Sequence, residues 1–122
     1  KGEMLKTILE DVADNLFNPD PYYQQGGDMV RVGGLTYACD PLGGMGQRIS
    51  DMRLKGQLID PAKTYKVAGW APVAEDAAKA GNPMVWDLVE QWLKARGGKV
   101  GPRQLNTPKL TGGLPNPGFA AA

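Results

Sequence analysis

Histidine is absent from these 122 residues. A Ser-His-Asp triad, a histidine general base and a histidine-ligated catalytic metal therefore cannot be assembled from this chain alone. Cysteine occurs once, as Cys39, which excludes an internal disulfide and a CxxC metal site. It lies in an apolar, strand-like run, where a buried, inert thiol is the expected form. The lack of disulfides leaves the compartment open. No apolar run approaches the roughly 18 residues that span a bilayer. The phosphate-cradling patterns GxxxxGK[ST] and GxGxxG are missing. No signal-peptide pattern opens the sequence, and a helix already under way at Met4 leads us to expect that the chain begins inside a longer protein.

Acidic residues run out early. From Gln91 onward there is none, whereas Lys94, Arg96, Lys99, Arg103 and Lys109 are all basic. Residues 1–90 carry nine bases against thirteen acids, so a net charge of +1 conceals an acidic body and a basic end. So small a net charge argues against a dedicated nucleic-acid binder. The basic end is read either as lying on the acidic body of its own domain or as a partner surface. What is plentiful is glycine (17) and proline (10), so much of the chain should be loop. The length suits one domain with a modest core.

Taken in order, residues 4–17 read as an amphipathic helix. Leu5, Ile8, Leu9, Val12 and Leu16 share one face, and Glu3, Lys6, Glu10, Asp11 and Asp14 lie elsewhere. Asn18-Pro19 ends it, because a residue before proline avoids the helical region. Residues 29–32 and 35–39 look like strand interrupted by Gly33-Gly34. Residues 48–55 alternate as a further strand turned by Gly56, and residues 64–70 form another with Tyr65 and Val67 on one face. Residues 74–80 are a short alanine-rich helix candidate. Residues 85–96 form a second firm helix, with Val85, Leu88, Val89, Trp92 and Leu93 on one face, stopped by Gly97-Gly98. Trp86 and Trp92 are expected in the core. The architecture expected is α+β, a sheet of about four strands covered by two main helices. We divide it into a domain over residues 1–98 and an extended Gly/Pro-rich tail over 99–122.

The most unusual stretch is residues 22–37. Two glycine pairs there bracket Asp28, Met29 and Arg31, after Tyr22, Tyr23, Gln24 and Gln25. Gly26-Gly27 lets a backbone or a ligand come close. An arginine beside bare backbone suits an anionic group through charge-assisted paired bonds, and an internal Asp28–Arg31 pair that fixes the turn stands as the equal alternative. Tyr22, Tyr23 and Trp70 are candidates for lining a ligand. Elsewhere no carboxylate pair stands out. Asp11 with Asp14, and Glu75 with Asp76, read as solvated faces.

Gly2-Glu3-Met4-Leu5 with Ile8-Leu9-Glu10 resembles the first helix of the C-terminal domain of the 5′-nucleotidase family. Residues 27–37 sit where that family has G-x-F-x-Q-V-S-G-L-x-Y, and Arg48-Ile49 and Tyr65-Lys66-Val67-Ala68 match its next two strands. Residues 14–31, from Asp14-Asn15-Leu16-Phe17 through Gly27-Asp28-Met29-Val30-Arg31, resemble more narrowly the thiosulfohydrolase (SoxB) branch, and Ala68-Gly69-Trp70-Ala71 agrees.

The resemblance implies a mixed sheet and a periplasmic, two-domain enzyme. An N-terminal metallophosphoesterase domain would hold two manganese ions. The substrate would be a cysteine S-thiosulfonate at the end of a SoxYZ-type carrier protein, hydrolysed with release of sulfate. This chain would be the C-terminal domain that shapes the substrate channel, without its first strand, without metal ligands and inactive alone.

Nucleotidases place a base-stacking phenylalanine where Met29 stands and a glycine-rich, aromatic-bearing loop where Trp70-Ala71-Pro72 follows. Both differences speak against adenine sandwiching. The site residues expected to meet substrate are Gln25, Gly26, Gly27, Asp28, Met29, Arg31 and Trp70; Arg31 has a glutamine counterpart in nucleotidases, so its role rests on chemistry alone. A nucleotidase-type phosphoesterase domain and a non-catalytic interaction module are the alternatives.

Overall fold

The computed structural model of the chain describes residues 1–68, 81–102 and 106–112. They fall into two compact units, Lys1–Thr64 joined by residues 106–112, and residues 65–102.

The first unit is a helix on a sheet. Helix α1 spans Gly2–Phe17. Lys1 offers its first turn no side-chain cap, so the orphan N–H groups are met from elsewhere. Gly2 N–H donates to the Lys63 carbonyl and Glu3 N–H to that of Pro61, both at 3.0 Å. Asn18 ends the helix in an extended conformation (ψ 131°), as a residue before proline should.

Strands β1 (Leu35–Cys39) and β2 (Ile49–Leu54) pair antiparallel. The register slips between Thr36 and Ala38, leaving one extra residue on β2, and Asp51 there has φ +48°. This is a bulge, and aspartate is among the residues that tolerate the left-handed region. Strand β3 (Gln57–Leu58) returns through a two-residue turn in which Leu54 faces Gln57. Both turn residues have positive φ, Lys55 at 52° and Gly56 at 80°, as the turn that matches strand twist requires. Strand β4 (Lys109–Leu110) pairs parallel to β1 at Ala38 and Cys39. The sheet is therefore mixed, in the order β3-β2-β1-β4.

The core is Leu9 and Ala13 of α1 against Tyr37, Cys39, Ile49 and Met52, with Leu5, Phe17, Met29, Val32, Leu35 and Ile59 at its margin. Burying a side chain such as Ile49, 1% exposed, is worth about 1.5–3 kcal/mol.

The second unit contains helix α2 (Val85–Lys94), with Asp87 in its first turn and Lys94 in its last, both favourable to the helix dipole. Gly98 N–H donates to the Leu93 carbonyl and Gly97 N–H to that of Lys94, which closes the helix end. The Arg96 guanidinium lies 4.2 Å over the Trp92 ring.

Among the described residues, the α+β class, a four-stranded mixed sheet and two helices agree with the sequence reading. Several local expectations are corrected. Residues 29–32 are not a strand; Val32 alone makes a bridge, to Asn106. The outer edge of β1 is taken instead by β4, from the segment read as tail. Residues 64–68 are not a strand either, because the turn at Asp60–Lys63 folds back onto the start of α1. Local alternation makes a strand only where a partner edge is at hand. Trp86 is 61% exposed rather than core. The buried face of α1 is also rotated. Leu5, Leu9, Ala13 and Phe17 meet the sheet, and Ile8, Val12 and Leu16 are only half-buried. The helix candidate at 74–80 and the end of the strand at Gly69 and Trp70 lie outside the described residues.

Candidate functional site

The loop that leaves α1 carries most of the expected site. Asp20 starts it by accepting the Tyr22 N–H on Oδ1 at 2.9 Å, which caps a single 3-10 turn, Pro21–Tyr23. The turn presents Tyr22 (86% exposed) and Tyr23 (58%), edge to face with centroids 5.3 Å apart. Asn18 braces both ends. Its Oδ1 accepts the Asp20 N–H at 3.0 Å, and its carbonyl accepts Gln24 Nε2 at 2.7 Å. Gly26 N–H then donates to the Asn15 carbonyl at 3.2 Å, returning the chain to the helix end.

Beyond that point Gln25, Gly26, Gly27, Asp28 and Arg31 are all exposed. Gly26 and Gly27 have φ +78° and +100°, and a side chain built on either would meet open space. Their need for glycine is thus conformational, and the backbone stands bare to anything that approaches. Arg31 Nη2 lies 3.7 Å from Asp28 Oδ2 with both side chains almost fully exposed. Such a pair is weak, so the guanidinium stays accessible to an anion. Met29 is half-buried and packs against the core. Trp70 lies outside the described residues. One loop therefore brings together five of the seven expected residues as an exposed polar strip, with Met29 as its anchor.

Beneath the loop lies an arrangement the sequence reading did not anticipate. Asp14, taken as solvated, and Glu10, placed off the apolar face, are both bound. Asp14 Oδ1 accepts from Arg48 Nη1 at 2.6 Å and Oδ2 from Asn18 Nδ2 at 2.8 Å. The Asn18 amide first, and then Arg48, hold the Asp14 carboxyl below the usual carboxylate range. Arg48 is 2% exposed and also donates from Nη2 to the Phe17 carbonyl at 3.2 Å. Glu10, 4% exposed, accepts the backbone N–H groups of Gly46, Arg48 and Ile49 at 2.9, 3.2 and 2.8 Å. The available signal was Glu10 and Asp14 at i and i+4 beside Leu9 and Ala13, facing an arginine at a strand start.

Burial raises the Tyr37 hydroxyl and the Cys39 thiol above their ordinary values, so the buried-thiol expectation for Cys39 holds. Among the described residues no group of three acidic, cysteine or histidine side chains could hold a metal ion. A separate apolar groove of ≈ 650 Å³ between α1 and the β2–β3 hairpin includes none of the loop residues.

A search of curated proteins finds no match. Among solved structures, the sulfate thiohydrolase SoxB of Thermus thermophilus, determined with glycerol, is similar. It shares 31% identity over 93% of this chain with a TM-score of 0.65. The present chain spans 22% of that one. The family description "5′-nucleotidase, C-terminal domain" matches residues 1–80, which take in α1, the exposed loop and strands β1 to β3. On that match the chain belongs to the family of the 5′-nucleotidase C-terminal domain.

Proposed function

We propose that this chain is the substrate-shaping domain of a thiosulfohydrolase. The observation that carries the reading is the 31% identity to SoxB sustained over 93% of the chain. The substrate is a cysteine S-thiosulfonate at the end of a SoxYZ-type carrier protein, from which water releases sulfate, and the setting is the periplasm. The two manganese ions that the resemblance implies, and the reaction centre with them, are assigned in this reading to an N-terminal metallophosphoesterase domain. This domain contributes the exposed loop over residues 22–31. Its backbone is open at Gly26-Gly27, and Arg31 offers paired donors to a sulfonate.

The match of residues 1–80 to a nucleotidase domain favours a second reading, a nucleotide phosphoesterase. Offering the parent enzyme the loaded carrier and AMP separates the two. Sulfate release from the carrier, with AMP untouched, is the expected result. Phosphate release from AMP with no sulfate would replace the first reading by the second.

A further inference from the structure

Nothing apolar fixes the loop between Phe17 and Met29. Asn18 is half-buried, and every other residue from 19 to 28 is exposed. Its shape must come from hydrogen bonds, and these converge on the end of α1. Asn18 grips Asp20 and Gln24, Asn15 grips Gly26, and Asp14 holds the Asn18 amide. Asp14 is in turn held by Arg48 from the start of β2, and the backbone N–H of Arg48 is held by Glu10. An unbroken chain of bonds thus runs from the core to the tyrosine turn.

Arg48 is an expensive residue for mere stability. Burying an ion pair roughly breaks even against apolar packing, and Nε of Arg48 is buried with no partner among the described residues. What the guanidinium supplies is direction. It fixes the Asp14 carboxylate and the Phe17 carbonyl at once, and so sets the angle at which the loop leaves the helix.

We propose that Asp14, Asn18 and Arg48 are positioning residues that hold the loop over residues 20–26 in its substrate-meeting geometry without touching substrate. This rests on the reading that the loop meets the carrier. Misplacing a binding element by about an ångström can cost roughly 100-fold in rate.

The test uses the full-length parent enzyme carrying Asn18→Ala or, to guard against a folding failure, Arg48→Lys. Hydrogen exchange is followed residue by residue alongside turnover of the loaded carrier. We expect exchange at Tyr22, Gln24 and Gly26 to rise roughly 10-fold while β1 and β2 keep their protection. The value of kcat/KM should fall roughly 10- to 100-fold, mostly through KM. A merely structural role would raise exchange across α1 and the sheet together, and that outcome overturns the proposal. So does unchanged exchange in the loop. Faster loop exchange with unaltered turnover also overturns it. In that case Tyr22→Ala and Arg31→Ala locate the fault. If they lower turnover, only the positioning role fails; if they do not, the loop is not substrate-facing and the functional reading fails with it.

Discussion

Glu10 Oε1 accepts the backbone N–H of Ile49 at 2.8 Å, tying the middle of α1 to the first residue of β2 across thirty-nine positions of sequence. The other carboxylate oxygen takes Gly46 and Arg48 N–H, so one side chain satisfies three backbone donors, two of them on buried residues. Such charge-assisted bonds are the stronger kind, and an orphaned buried donor costs about 1–3 kcal/mol. Glu10→Ala should therefore destabilise the fold by about 3 kcal/mol or more, and Glu10→Gln by less, since it keeps one good acceptor. Denaturant midpoints at an unchanged slope would report this. Equal midpoints for Glu10→Ala and wild type would refute it.

The Asp14 carboxyl predicts an acid limb. Its folded-state pKa is depressed by Asn18 and Arg48, so the unfolded chain takes up the proton first as pH falls. The stability it contributes is complete above the ordinary carboxylate value of about 3.9 and is lost as pH drops through the folded value. Asp14→Asn should differ most from wild type near neutrality and converge with it below about pH 4. A stability gap that stays constant down to acid pH would show that Asp14 is not the titrating group.

Cys39 and Tyr37 act at the opposite end. Burial raises both groups, so the folded state keeps their protons when the unfolded chain has released them. Stability is complete below the unfolded thiol value of about 8.5 and falls as pH rises past it. Cys39→Ala should flatten part of that alkaline decline. The native thiol should resist alkylation until denaturant is added; rapid modification of the native protein would contradict its burial.

The β2–β3 turn makes a prediction from backbone geometry alone. Gly56 at φ +80° should not tolerate a side chain cheaply, so Gly56→Ala should cost about 1 kcal/mol. Lys55 at φ +52° is better served by asparagine, so Lys55→Asn should be neutral or slightly stabilising. Melting temperatures of the two variants should move in opposite directions or leave Lys55→Asn unmoved. A stabilising Gly56→Ala would show that the turn has another form.

Much of this fold is legible in local sequence. The 3.6-residue recurrence from Leu5 to Leu16 and from Val85 to Leu93 marks both helices, and Asn18-Pro19 and Gly97-Gly98 mark their ends. What is not legible depends on distant partners. Glu10 and Asp14 look like solvent-facing acids until Gly46, Arg48 and Ile49 arrive beside them. Strand β4 is two residues long and exists because the edge of β1 at Ala38 and Cys39 is free to receive it. The apparent strand at residues 64–68 follows a turn at Asp60–Lys63 whose carbonyls are given to the start of α1. The candidate loop was recognisable from its glycines, tyrosines and amides, and the groups that brace it were not, because their role appears only in the bonds Asp14 divides between Arg48 and Asn18.

In the proposed function the exposed loop meets a sulfonate-bearing carrier and Arg31 contacts the anion. The most direct test is sulfate release by the parent enzyme from the loaded carrier, wild type against Arg31→Ala and Arg31→Lys. We expect kcat/KM to fall roughly 10-fold or more for alanine, the scale of losing a charge-assisted bond, and less for lysine. Equal kcat/KM for wild type and Arg31→Ala would contradict it.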